Sequence, residues 1–312
     1  MKYLVSLLLL FTGRVNAQSD AADSIIVPSS LEYTVAYLSQ DSLKGRMTGS
    51  AGATSAARFI AARFDSIGLT PAAPDGGWMD HYVAYFERKK IPAINVMAAL
   101  PGNGINDTMV IFSAHYDHIG EGNDFSFNEG YSFKDNIFNG ANDNASGVAA
   151  LIELARYYQL KNNHRYQLLF VAFSGEEMGM LGSKDVMRRT DPTRVKTVIN
   201  LEMLGRPRGD ECFIVANKSN QLVKILNEAL TQYQLANEKE FFRKDPYPEE
   251  DLFSRSDHYP FARKIKQAFT IMGSSPTDTY YHSAGDELST IDFDFLLKAT
   301  RNIALACEVF TR

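Results

Sequence analysis

Two adjacent glutamates, Glu176 and Glu177, follow the apolar segment QLLFVA in a turn of small residues, FSGEEMG. Neighbouring side chains in a turn point in different directions, so one carboxylate can bind a metal ion while the other stands about a water's width away. A metal ion lowers the pKa of bound water toward roughly 7, and a nearby carboxylate can then accept the proton. The pair therefore indicates metal-assisted proton transfer, unless it is an ordinary polar turn.

A histidine and an aspartate follow another apolar segment, TMVIFSA. His115 and Asp117 in SAHYDHIG are two residues apart, and on an extended chain such side chains share a face. Asp117 is then placed to accept the spare ring N–H of His115, as carboxylates near metal-binding imidazoles commonly do. The alternative is that His115 only ends a strand, and we interpret His118 as a bystander.

Three further candidate ligands lie in polar turns. They are Asp143 in NGANDNASG, Glu202 in NLEMLG and His282 in YYHSAGDELST. Taken singly, Asp143 is also typical of a helix cap and His282 of a surface loop. Together with His115 and Glu177 they form a set of two histidines and three carboxylates. That set suits two divalent ions sharing a carboxylate better than one structural zinc ion, which usually takes Cys and His ligands.

The elements that must position these residues alternate between strand and helix. TMVIFSA, YQLLFVAFS, VKTVINL and QAFTIMG are short runs typical of strands buried on both faces, and NASGVAALIELARYYQL has helical spacing. Residues 29–68 also have a helical pattern, and residues 82–100 predict strands broken at Pro92. We therefore expect an α/β sheet with helices on both sides and the candidate ligands beyond the carboxyl ends of its strands.

Composition narrows the class of protein. The chain has 312 residues, is 45% hydrophobic and 22% charged, and carries a formal net charge of −5. It therefore lacks the basic character of a nucleic-acid-binding protein, and it is not suited to anionic membranes. Its two cysteines, Cys212 and Cys307, do not make a disulfide framework, and whether they pair is left open.

The first residues have the pattern of a secretory signal peptide. Lys2 is followed by an apolar core at residues 3–11 and by small residues up to Ala17. This apolar core is too short to span a bilayer, and no other segment is a candidate membrane span. We expect cleavage after Ala17, export to the periplasm or the medium, and one domain over residues 18–312 with a helical region at about 29–70 packed on it.

Taken in order, the segments HYD, GANDNASG, FSGEE, NLEMLG, SDHYPF and YYHSAGD resemble the co-catalytic zinc aminopeptidases of metallopeptidase family twenty-eight, the bacterial leucyl-aminopeptidase-like exopeptidases. The resemblance spans about residues 30–310, including the N-terminal LKGRMTGSAG region. It implies a mixed, mostly parallel central β-sheet flanked by helices on both faces. It also implies two zinc ions and a peptide substrate with a free N-terminus.

The resemblance assigns the metal ligands position by position. Asp143 would bridge the two ions. Glu177 and His282 would complete one site, and His115 and Glu202 would complete the other. The family more commonly has Asp at the position of Glu202, so the longer side chain must fold differently to reach the same ion.

The resemblance also implies roles in the reaction. Glu176 would be the general base that takes a proton from water and passes it to the leaving amine. Asp117 would orient His115, and Tyr281 would help to stabilise the oxyanion.

Other functions remain open at this stage. A glutaminyl cyclase has a related fold with a single zinc ion and closes an N-terminal glutamine onto itself without water. A carboxypeptidase of similar fold would use the same metal chemistry, and a binding domain of this fold would need no activity.

Overall fold

The computed structural model describes residues 22–104, 107–122, 135–233 and 240–312. The segment predicted to be a signal peptide lies outside these ranges. No helix in the described part of the chain is both long and apolar enough to cross a membrane. Cys212 and Cys307 are both buried free thiols.

The strands confirm the four predicted from the apolar runs and add others. In chain order they are β1 Thr70–Pro71, β2 Met79–Phe86, β3 Lys89–Leu100, β4 Met109–His115, β5 Gly120–Glu121, β6 Ile137–Phe138, β7 Gln167–Phe173, β8 Val195–Glu202, β9 Cys212–Val215, β10 Phe242–Lys244 and β11 Ala268–Met272.

The helices that pack around them include the one predicted after the NASG segment. The described helices are α1 Pro28–Leu38, α2 Ala51–Ile67, α3 Gly147–Lys161, α4 Leu181–Arg189, α5 Ser219–Thr231, α6 Tyr259–Ala262, α7 Phe293–Ala306 and α8 Glu308–Thr311. Ser50 accepts a hydrogen bond from the Ala53 amide at the start of α2, and Gly68, with a φ of 86°, follows its end.

Nine strands form one mixed sheet in the order β1-β3-β7-β4-β8-β11-β9-β10, with β2 paired to β3. The four central strands β7, β4, β8 and β11 are mutually parallel, while β3 and β9 join them in antiparallel fashion. The expected mixed α/β sheet is confirmed, with antiparallel pairing toward both edges.

The sheet is covered on both faces. Along β4, Val110 and Phe112 face one apolar cluster, which includes residues of α1, α2, α3, α5 and α7, while Ile111 faces a second cluster beside α4 and α6. This alternation follows from the two-residue period of a strand and explains why the central strands are apolar throughout.

The predicted break at Pro92 is wrong. Glu87 and Arg88, with φ of 48° and 64°, form the turn between β2 and β3, and Pro92 lies within β3 opposite Val83. At Pro92 the other side of β3 has no strand partner among the described residues, since β7 pairs with β3 only from Val96 onward. The missing N–H of proline therefore costs no ladder hydrogen bond there.

Candidate metal centre

The carboxyl ends of the four parallel strands carry the candidate ligands. His115 is the last residue of β4 and Glu202 the last of β8, while Glu176 and Glu177 follow β7 and His282 follows β11. Because parallel strands all end at the same edge of a sheet, residues far apart in the sequence meet there.

Three of the predicted ligands are brought together directly. One ligand atom each from His115, Asp143 and Glu177 lies within 4.8 Å of the other two, and His115 Nε2 is 3.3 Å from Asp143 Oδ1. Zinc binds nitrogen and oxygen ligands at about 2.0–2.2 Å, so ligands around one ion lie about 3–4 Å apart. The arrangement fits a zinc ion.

His282 faces the same space. Its Nε2 lies 3.1 Å from Glu177 Oε2 and 3.4 Å from Asp143 Oδ2. This buried nitrogen has no hydrogen-bond partner of acceptable geometry among the described residues. A ring nitrogen without a hydrogen-bond partner, together with two nearby carboxylates, forms a set of ligand atoms typical of a metal site.

The pKa shifts within the group also indicate a site for a cation. Burial alone would raise the pKa of Asp143, yet His115 and His282 hold it well below its usual range. Burial alone would lower the pKa of His282, but Glu177 and Asp143 raise it to about 10. The pKa of His115 is likewise raised well above its usual value, against the effect of burial, by Asp143 and the neighbouring carboxylates. The carboxylates thus attract positive charge into the group, as a cation site requires.

The tautomer of His115 is fixed by Asp117. His115 Nδ1 lies 3.2 Å from the main-chain carbonyl oxygen of Asp117, which can only accept, so Nδ1 donates and Nε2 is free toward Asp143. We predicted this hydrogen bond for the Asp117 carboxylate, which lies 3.8 Å from Nδ1. The buried carboxylate instead accepts from Thr48 Oγ1 at 2.8 Å and from the Glu176 amide at 3.3 Å.

His118 lies within the group, so the interpretation of this residue as a bystander is wrong. Its Nδ1 donates to Glu177 Oε1 at 2.8 Å, and its ring is buried. Gly140, with a φ of 58°, makes room for the ring, since a Cβ there would lie 2.6 Å from His118 Cγ. The sequence feature that could have indicated this role is the close spacing of His115 and His118 on either side of Asp117.

The turn that carries Asp143 is held from both sides. The amides of Asn142 and Asp143 donate to the two oxygens of buried Asp286 at 2.8 and 2.9 Å, and Arg206 pairs with Asp286. Asn144 Oδ1 accepts from the amide of Met203 just after β8. The turn is therefore fastened to β8 and to the segment after His282.

Glu176 is placed beside the ligands without being one of the close group. Its amide donates a hydrogen bond to Asp117 Oδ1, whereas its carboxylate forms no hydrogen bond with the described residues. Burial raises its pKa well above the usual value; His115 opposes the shift, while Glu177 and Glu202 reinforce it. Burial and neighbouring carboxylates thus give this carboxyl group a raised proton affinity.

Glu202 is not part of the close ligand group. Its Oε2 accepts from Ser256 Oγ and from Asn200 Nδ2, the latter at 3.2 Å, within a buried network that includes Thr270. Burial raises its pKa to about 7, a shift that His115 opposes. The carboxylate of Glu202 thus lies in a buried hydrogen-bond network with Ser256 and Asn200 and outside the close ligand group.

Tyr281 lies against the site through its neighbour. Its ring stacks on His282 at 3.8 Å between centroids, and its hydroxyl accepts from Arg255 Nη2 at 3.3 Å. The ring also packs on an apolar cluster that contains Phe213 and Met272. Tyr281 therefore borders the site, and its hydroxyl is hydrogen-bonded to the Arg255 guanidinium.

Comparison with known proteins identifies a protein family that matches most of this chain. The sequence profile of the family described as Peptidase family M28 matches residues 95–307. A protein of Trichophyton verrucosum named "Probable leucine aminopeptidase" is 27% identical over 220 residues, which are 65% of this chain and 54% of that protein. The chain spans about half the length of the curated relatives it matches.

Solved structures of similar fold include two enzymes with different activities. A zinc aminopeptidase from Bacillus subtilis superposes with a TM-score of 0.69 at 16% identity, covering 92% of this chain and 96% of that one. A glutaminyl cyclase from Porphyromonas gingivalis superposes with a TM-score of 0.70 at 18% identity, covering 91% and 99%. At these identities the superpositions support the fold alone.

Proposed function

The chain belongs to peptidase family M28, and we propose that it is a zinc-dependent aminopeptidase that removes N-terminal residues from peptides. The observation that carries the proposal is the group of His115, Asp143, Glu177 and His282 at the carboxyl edge of the sheet. The names of the relatives, among them leucine aminopeptidases and zinc metalloproteases, support both the activity and the metal.

We propose that the centre would hold two zinc ions and that Asp143 would be a ligand common to both. Glu177 and His282 would hold one ion, and His115 would hold the other with Glu202. When bound, zinc supplies a Lewis acid that lowers the pKa of water and polarises the scissile carbonyl. The second site requires the Glu202 carboxylate to leave part of its network with Ser256.

The proton chemistry belongs to Glu176. Its carboxylate takes a proton from the attacking water as the water oxygen bonds to the scissile carbonyl carbon. It then passes that proton to the amine nitrogen as the C–N bond breaks, so the products are a free amino acid and a shortened peptide. His118 and Asp117 hold the flanking residues Glu177 and His115 in position meanwhile.

The test is a substrate panel combined with metal analysis. Free peptides should lose their first residue, N-acetylated peptides should not react, and a chelator should abolish the reaction. Close to two zinc ions per chain should be found by elemental analysis. Cleavage of acetylated peptides, or full activity in excess chelator, would contradict the proposal.

A glutaminyl cyclase is the second candidate, because Glu202 lies outside the close ligand group, as a single-zinc site would allow. The same panel separates the two enzymes. A cyclase would release ammonia from peptides with N-terminal glutamine and leave their peptide bonds intact.

Export remains part of the proposal. The basic Lys2, the apolar residues 3–11 and the small residues up to Ala17 support it. N-terminal sequencing of protein recovered from the periplasm or medium should begin at Gln18; protein retained in the cytoplasm with Met1 intact would exclude it.

A further inference from the structure

A cationic cavity of about 280 Å³ is lined by residues of β9 and β10 and of the segments next to them. Its charged lining residues are Arg208, Arg243, Lys244 and Glu211, and Phe213 and Gly273 are among its apolar and small ones. Three cations face one carboxylate, so the cavity carries an excess of positive charge. The candidate metal centre, which is rich in carboxylates, has the opposite character.

The cations of this cavity are weakly paired. Arg243 is 3.6 Å from Glu211 and 3.8 Å from Glu240, and its buried Nε has no hydrogen-bond partner among the described residues. Arg208 lies over the ring of Tyr247 at 5.7 Å. Within the described ranges, neither Arg208 nor Lys244 forms an ion pair. Guanidinium donors left in this state can accept an anionic partner.

Strand register ties the cavity to the catalytic edge. Glu202 pairs with Met272, Met272 with Phe213, and Phe213 with Arg243, so the four side chains form one row across β8, β11, β9 and β10. Residues paired in this way project to the same face of the sheet. At about 4.8 Å per strand, the Cα atoms of Arg243 and Glu202 are about 14 Å apart.

Tyr281 links the same face to the candidate metal centre. Tyr281, stacked on His282, packs on the cluster that contains Phe213 and Met272. Arg243 and Glu202 both project from this face, and an extended peptide lying across it at about 3.5 Å per residue would cover the separation of about 14 Å with roughly four residues, or fewer where the long Arg243 side chain leans toward the site.

We propose that this cavity binds a carboxylate of the peptide substrate and makes the enzyme selective for peptides that carry one near the scissile bond. The inference rests on the proposed function. The carboxylate has two possible sources: the side chain of an N-terminal Asp or Glu, or the C-terminus of a short peptide. Both present the same group to Arg243.

Two matched substrate pairs distinguish the sources. Glu-anilide and Gln-anilide differ only in the side-chain carboxylate, whereas Leu-Gly-Gly and its C-terminal amide differ only in the terminal one. One pair should show at least roughly 10-fold higher kcat/KM for the charged member, at fixed low salt, since hydrogen bonds to charged groups are of that strength. The pair that shows it identifies the source.

Variants test the assignment to this cavity. Arg243→Gln should reduce the charged-to-neutral ratio roughly 10-fold, and Arg243→Glu should reverse the preference. Lys266→Gln is the matched control. Lys266 lines a second cavity that includes Ala268, at the amino end of β11 and so at the opposite edge of the sheet. The control should leave the ratio unchanged.

The failure of this inference differs from the failure of the proposed function. If Leu-Gly-Gly is hydrolysed but both pairs give ratios near one, or if Lys266→Gln acts like Arg243→Gln, only the cavity assignment is overturned. If no peptide is hydrolysed, the proposed function fails, and calorimetry of the same pairs on wild type and Arg243→Gln still decides the inference. Equal Kd values within each pair would overturn it.

Discussion

At the scale of single residues, the adjacent acids of FSGEEMG have separate surroundings. Glu177 lies among His118, His282 and Asp143, whereas the amide of Glu176 is held by Asp117 and its carboxylate has no described hydrogen bond. This difference predicts different consequences for the two substitutions.

Glu176→Gln should keep the metal and lose most of the turnover, because an amide cannot accept the proton that the reaction moves. A loss of kcat of about 10²–10⁴-fold is typical for a general base. Glu177→Ala should instead have a low metal content, which elemental analysis after gel filtration measures. Near wild-type turnover in Glu176→Gln would show that Glu176 is not the base.

His258 gives a prediction about pH. It is fully buried, its Nδ1 is 2.7 Å from Thr270 Oγ1, and burial lowers its pKa from 6.5 to about 3. As the pH falls below 6.5 the unfolded chain binds a proton at this position and the folded chain does not, so the folded state loses stability down to about pH 3.

The glutamine variant His258→Gln lacks this titration. The difference in free energy of unfolding between wild type and variant should therefore shift against the wild type by roughly 2–3 kcal/mol between about pH 6.5 and 4.5, or two pKa units. Urea unfolding of the chelated proteins at both pH values measures it. A difference that stays constant with pH would mean that the folded and unfolded chains take up the proton equally at His258, so that burial does not lower its pKa.

The residue types and order of the motifs were enough to predict the group of His115, Asp143, Glu177 and His282. They were not enough for His118 and Glu202. Which atom a side chain contacts depends on neighbours distant in sequence, such as Gly140 for His118 and Ser256 for Glu202. Sequence spacing does not encode those contacts.

At the scale of elements, the turn between α1 and α2 positions the loops of the candidate site. Arg46 is fully buried and donates to the carbonyl oxygens of Tyr116, Asn139 and Gly140, next to the loops that carry His115 and Asp143. Thr48 donates to Asp117 Oδ2 and accepts from the Gly175 amide at 2.8 Å. This segment precedes residues 95–307, yet it fixes two of the site's loops.

Thr48→Val tests that role. Valine has a similar shape but leaves a buried carboxylate oxygen and a buried amide without a partner, which should cost about 1–3 kcal/mol in the free energy of unfolding. Gly175 also loses its link to Asp117 through Thr48, so zinc affinity should fall. Thr48→Ser keeps the hydroxyl and should restore most of both quantities; equal defects in the two variants would contradict the hydrogen-bonding role.

The central strands were predictable because they are buried on both faces and read as continuous apolar runs. The outer part of the sheet was not predictable in the same way, because Pro92 suggested that the strand breaks there. In the structure β3 continues through Pro92, since one side of β3 is unpaired at that residue. The short strands β9 and β10, which carry the cationic cavity, have too few residues to give a period of their own.

At the scale of the whole molecule, the metal centre joins elements that are distant in sequence. His115 ends one strand of the sheet, Glu177 and His282 follow two others, and Asp143 lies in an intervening turn. These acids raise the pKa values of His115 and His282, so in the absence of another cation the protonated rings offset part of their charge. Metal binding should therefore contribute to the stability of the entire fold.

Zinc should raise the melting temperature of the chelated protein. A ligand that binds only the folded state adds about 4 kcal/mol at a free concentration about 1,000 times its Kd. For a domain of this size each kcal/mol is worth about 2 °C or slightly more, so the shift should be about 8 °C or more. Differential scanning calorimetry with buffered zinc measures it, and Glu177→Ala, which lacks a ligand, should show a much smaller shift. Identical melting temperatures for loaded and chelated wild type would mean that these side chains do not form a tight metal site in the folded protein.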